Sequence, residues 1–136
     1  MDSLDQFKRD VIDIVLAVDS DVRAIYIYGS IATGNETKNS DADIALRCYG
    51  EVPFQTRMSL VAQLQAKLKR EVDLLDMSSV STVMRMQVVS NGQRIYCADH
   101  DEAENYDDLV FLKYARFNEE RAGILEDIKK RGTIYG

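Results

Sequence analysis

Tyr28-Gly29-Ser30-Ile31-Ala32-Thr33-Gly34-Asn35-Glu36-Thr37-Lys38-Asn39-Ser40-Asp41-Ala42-Asp43 is the stretch that decides how this chain folds. It follows Val22-Arg23-Ala24-Ile25-Tyr26-Ile27-Tyr28, a β-branched and aromatic run that predicts a buried strand over 22–28. The strand ends in a Gly-Ser turn. Ser30 is placed to cap a short helix that stops near Gly34-Asn35. A second strand is expected over 42–48, with Ala42, Ile44 and Leu46 on one face and Asp43, Ala45 and Arg47 on the other.

Two residues apart at the start of that strand, Asp41 and Asp43 point to the same face. Like charges held side by side repel, and a divalent cation between them reverses the sign of the interaction. Mg²⁺ suits such a place, because it is commonly held by one or two carboxylates together with substrate phosphate oxygens and water. Gly29 lets the backbone approach a phosphate closely. Ser30 adds a hydroxyl, and the N–H groups at the helix start point at an anion. Alone, a Gly-Ser turn is a tight connection and an Asp-x-Asp is a pair of solvated charges. In this order, between these elements, they describe a loop that holds a nucleotide triphosphate and a strand that holds its metal, hence phosphoryl-type chemistry.

Outward from this core, residues 3–18 read as a helix with a Ser3/Gln6 capping-box pattern and an apolar stripe of Leu4, Phe7, Val11, Ile14, Val15 and Val18. Pro53 suits the first turn of a second long helix, striped by Met58, Val61, Leu64 and Leu68 and ending near Arg70. Val72, Leu74 and Leu75 form a third strand carrying Asp73 and Asp76. If that strand neighbours the Asp41–Asp43 strand, Asp73 joins the pair as a third carboxylate, binding metal or accepting the proton of an attacking hydroxyl. Asp76 falls on the opposite face by alternation and is left out. Residues 79–90 read as a helix stopped by Asn91-Gly92, and Arg94–Cys97 as a short strand. The acidic stretch from Asp99 to Asp108 opens a last helix striped by Val110, Tyr114, Phe117, Ile124 and Ile128. This alternation predicts an α/β (α+β) domain: a small mixed sheet flanked by helices, with a C-terminal helix. The expected division is a single domain over 1–136, with a catalytic core at 1–98 and a helical extension at 99–136.

A chain of 136 residues, 46% hydrophobic and 29% charged with one proline, is a single globular domain by length and composition. The net charge of −6 argues against direct binding of nucleic acid. No apolar run reaches membrane-span length and the acidic N-terminus is unlike a signal sequence, so a cytoplasmic protein without membrane contact is expected. Cys48 and Cys97 are in no metal spacing and read as reduced thiols. His100, the single histidine, reads as a surface residue among acids. Met58, Met77, Met84 and Met86 read as core filling, and Tyr26 and Tyr28 as residues of the strand's alternating faces.

Tyr28-Gly29-Ser30, Gly34, Ser40-Asp41-Ala42-Asp43-Ile44 and Val72-Asp73-Leu74-Leu75 together resemble the DNA polymerase β-type nucleotidyltransferase superfamily. Within it the chain is similar to minimal nucleotidyltransferase antitoxins that stand beside HEPN-domain toxins. Its size and the closing helix from Phe111-Leu112-Lys113-Tyr114 to Glu119-Glu120-Arg121 also match. The resemblance implies transfer of AMP from ATP, with Mg²⁺, to a tyrosine hydroxyl of a cognate HEPN-domain toxin that acts on RNA. By motif match, Gly29 and Ser30 would hold the triphosphate, Asp41 and Asp43 would bind metal, and Asp73 would be the third carboxylate. Many relatives carry a basic residue between the Ser and the next Gly. Here the stretch is Ile31-Ala32-Thr33, which leaves phosphate neutralisation to metal, backbone and Lys38 or Arg47.

Two other readings compete with this one. The first is an antitoxin that neutralises by covering its toxin, with the last helix as the contact. The second is a small-molecule nucleotidyltransferase, which ordinarily needs a further domain to complete its acceptor pocket.

Overall fold

A computed structural model describes residues 3–33 and 41–135. Its elements in chain order are α1 (Ser3–Val18), β1 (Ala24–Tyr28), α2 (Ser30–Thr33), β2 (Ala42–Arg47), α3 (Phe54–Leu68), β3 (Val72–Asp76), α4 (Thr82–Asn91), β4 (Gln93–Cys97) and α5 (His100–Tyr135). The four strands form one sheet in the order β3-β2-β1-β4. β1 runs antiparallel to both β2 and β4, while β2 and β3 are parallel. The sheet is therefore mixed, as the element order predicts. The helix stop near Gly34-Asn35, and Lys38 and Ser40, lie outside the described residues.

Helices cover both faces of the sheet. On one face Ile25, Ile27, Ile44, Leu46 and Leu74 pack against Val11 and Val15 of α1 and Leu60 and Leu64 of α3. On the other, Ala24, Tyr26 and Ala45 pack against Met77 and Val88, with Leu75 and Tyr106 partly buried against them. Burying both faces explains why β1 and β2 are apolar nearly throughout instead of strictly alternating.

Several local expectations need correction. Gln6 does not close a capping box; its amide donates to Asp10 Oδ1 at 2.8 Å, four residues on along the helix. The strand expected over 22–28 begins at Ala24, although Val22 is buried before it. On α3, Leu60 takes the buried place expected of Met58, which is 53% exposed; Met77 fills core and Met84 packs partly buried against the same cluster. Pro53 stands at the N-cap, one residue before the helix, where its missing N–H leaves nothing unsatisfied. Lys69 ends α3 in the left-handed conformation with its N–H donating to Gln65 O. Ser81 caps α4, accepting from the Met84 N–H at 3.1 Å, and Gly92 closes it. Cys48 and Cys97 are free and half-buried; burial pushes the Cys48 thiol up to about 11. Among the described residues no helix is long and apolar enough to cross a membrane.

Candidate active site

Three side chains stand abreast across the sheet. Strand register pairs Tyr28 with Asp43 and Asp43 with Asp73, so β1, β2 and β3 each contribute one residue to a single row. The parallel β2–β3 pairing brings the two carboxylates side by side, as expected from sequence for neighbouring strands. Asp43 is half-buried; burial first, then the charges of Asp73 and Asp41, hold its carboxyl above the usual range. Asp41 lies one residue before β2, is exposed, and adds its charge to the same group.

Tyr28 completes the row, with its hydroxyl donating to Asp73 Oδ2 at 3.3 Å. Burial and the charges of Asp73 and Asp43 push its phenol well above the usual range, so it stays a neutral donor. The sequence reading gave Tyr28 only an ordinary strand role. The signal was present in its antiparallel placement opposite Asp43, but that pairing becomes visible only once the sheet order is known.

Gly29 follows with φ +70, a conformation that favours glycine. A Cβ there would run into the Asp43 carboxylate. The glycine therefore does two things: it makes the turn and it clears space in front of Asp43. Ser30 opens α2 half-buried beside it. A cleft of about 340 Å³ is lined by Tyr28, Gly29, Asp43 and, from α4, Met84, Gln87 and Asn91. The α4 residues were not read as site residues; they lie more than 40 positions from Asp43 and reach it only through the fold.

Arg47 is not available to neutralise phosphate there. It sits at the far end of β2, buried, with its guanidinium bonded to Glu102 through two N–H groups, one at 2.8 Å. Asp76 is structural: its carboxylate accepts from the Val52 N–H at 2.7 Å and from the N–H and hydroxyl of Ser78 at 2.9 and 2.7 Å. Burial pushes its carboxyl up, but these bonds win and hold it below the usual range.

Among the described residues no cluster of three or more His, Cys, Asp and Glu forms a ready metal cage. A hard divalent cation that keeps substrate oxygens in its shell does not need one. A half-buried carboxylate facing a second across parallel strands, with a third acid two residues away, is a donor set that suits Mg²⁺.

A row of two carboxylates beside a glycine turn, on a mixed sheet with a short helix after the turn, defines the class. The family described as polymerase beta, nucleotidyltransferase matches residues 10–101, and this chain belongs to it. Protein adenylyltransferase MntA of Shewanella oneidensis is 32% identical over 107 residues, spanning 79% of this chain and 76% of that protein. A crystal structure of a toxin–antitoxin with AMP-PNP contains a chain 28% identical, with TM-score 0.78, covering 89% of this chain and 97% of that one. A re-refined structure of tri-AMPylated Shewanella oneidensis HEPN toxin in complex with MNT antitoxin contains one 25% identical, with TM-score 0.75, covering 92% and 98%.

Proposed function

We propose that this chain is an antitoxin that transfers AMP from ATP to a tyrosine hydroxyl of a cognate HEPN-domain ribonuclease toxin and so silences it. The in-register Asp43–Asp73 pair beside Gly29 carries this reading, in a chain similar along most of its length to a protein adenylyltransferase. Gly29 and Ser30 hold the triphosphate against the start of α2. Asp41, Asp43 and Asp73 are the residues that would hold Mg²⁺, which when bound offsets the charge of the phosphates. In the transfer, the acceptor tyrosine oxygen forms a bond to the α-phosphorus and the bond to the β-phosphate oxygen breaks, releasing pyrophosphate. Asp73 takes the tyrosine proton, and the Tyr28 hydroxyl keeps that carboxylate oriented across the sheet.

The test is to incubate the chain with ATP, Mg²⁺ and a cognate HEPN-domain toxin, then weigh the partner by mass spectrometry. Added AMP on a tyrosine is expected, lost on chelation and in the Asp41→Asn/Asp43→Asn double variant. A second reading, neutralisation by binding alone, is favoured by the exposed apolar residues of α5. It predicts an unmodified but silenced partner, and a folded double variant that still protects cells.

A further inference from the structure

At the other end of β2 from Asp43 a second hollow opens on the α4–α5 side of the sheet. It holds about 320 Å³. Arg47, in its wall, is four residues along the strand from Asp43, roughly 13 Å at the rise of an extended chain. The two hollows use different faces of α4: Thr82 and Arg85 line this one, whereas Met84, Gln87 and Asn91 line the catalytic cleft.

The lining combines apolar surface with positive charge. Met77 and Tyr106 form its inner part, and Leu109 stands exposed at its mouth. Arg47, Arg85 and Lys113 also line it, and among the described residues no carboxylate does, in a chain whose net charge is −6. The Arg47 guanidinium lies 4.2 Å over the Tyr106 ring, and Glu102 balances its charge. Its Nε is buried with no hydrogen-bond partner among the described residues. Backbone carbonyls, not carboxylates, fix Arg85: its Nε donates to Met77 O at 2.7 Å and an Nη to Ser78 O at 3.0 Å. Burial pushes the Tyr106 hydroxyl up, the charges of Arg85 and Arg47 pull it down, and those of Asp107 and Asp76 push it up again. Asp76 and Asp107 do not line the hollow, though their charges reach Tyr106; Asp107 is paired with Arg94, and Asp76 is held by the Val52 and Ser78 N–H groups.

We propose that this hollow binds a small organic anion with a flat apolar body, its carboxylate or phosphate held by Arg85 and Lys113 and its body lying against Tyr106 and Met77. The size lies at the lower end of small-molecule pockets, and a few polar groups set in an apolar wall are what such pockets use for orientation. With Arg47 paired to Glu102, Arg85 and Lys113 are the cations of this wall that carry no ion pair among the described residues, and they favour an anion over a cation. The inference does not depend on the transfer reaction.

The probe is 2-naphthoate, with neutral 2-naphthamide as the control of equal shape, titrated calorimetrically into the whole chain. Two variants at exposed positions are compared: Leu109→Trp, which obstructs the mouth, and Lys113→Glu, which reverses a charge. Melting temperature confirms that each is folded. Binding of the naphthoate about threefold to tenfold tighter than of the amide is expected, the amount one partly screened charge contributes. Leu109→Trp should abolish binding, and Lys113→Glu should remove the preference for the anion. Equal binding of acid and amide, or unchanged binding by folded variants, overturns the proposal. Failure to bind naphthoate overturns it as well, and loss of the toxin by both variants on co-purification would then assign the hollow to a protein partner.

Discussion

At Gly29 a backbone requirement and a steric one coincide. The left-handed φ of +70 disfavours any residue with a Cβ, by roughly 1–2 kcal/mol, and the Cβ itself would enter the space of the Asp43 carboxylate. Gly29→Val is therefore expected to abolish AMP-PNP binding in titration calorimetry; affinity equal to the wild type would remove Gly29 from the phosphate site. Asp43 makes the opposite kind of prediction. Its charge is opposed by burial and by Asp73 and Asp41, so Asp43→Asn relieves repulsion. The variant should melt no lower than the wild type while transfer falls about a thousandfold or more, the several kcal/mol that metal-held charge contributes. A variant that unfolds, or that transfers normally, would contradict the assignment. Asp43 and Asp73 were legible in the sequence because side-chain alternation fixes the face of each. Tyr28 was not, because nothing local reveals which strand it pairs with.

Among the elements, α5 is two things in one helix. Its first part is tied to the sheet by Ala103 and Val110, by the Tyr26 hydroxyl donating to Asp107 at 2.8 Å, and by Arg47 on Glu102. The hydrogen bond from Arg47 holds the Glu102 carboxyl below its usual 4.5. A depressed acid contributes stability above its unfolded pKa and loses it as pH falls through the folded one. Glu102→Gln should therefore cost about 1–2 kcal/mol in urea unfolding at pH 7, discounted for its partial exposure. The gap to wild type should narrow once pH falls below the usual glutamate range and through the depressed native value, as the native carboxyl takes up its proton. A gap independent of pH would show that the ion pair contributes nothing. Asp107 works the other way, since burial raises its carboxyl, so wild-type stability alone is a poor readout and the difference between the two proteins is the measurement. Beyond Tyr114 every residue through Arg131 is exposed, Ile124 at 60% and Ile128 at 58%. The periodic stripe read from sequence is real, but its second half has no sheet of its own to cover.

For the whole molecule, the core and the exposed helix separate what folding needs from what a partner needs. Deleting residues 119–136 removes no buried residue among those whose side chains are described, so the melting temperature should change little. If α5 docks the toxin, the truncated chain should lose the partner in co-purification. A folded truncation that still co-purifies fully places the contact elsewhere. Sequence by itself determined the element order, the Gly-Ser turn and the strand faces of Asp43 and Asp73, while Asp41, expected on the strand, stands one residue before it. Those follow from local rules: side-chain period, capping residues and the backbone freedom of glycine. Tertiary structure alone decided that β3 lies beside β2, that Tyr28 bonds Asp73, that α4 walls the cleft, and that Arg47 turns to Glu102 instead of to phosphate. Each of these depends on residues far apart in sequence meeting across one sheet, and a one-dimensional pattern carries no record of which neighbours the packing selects.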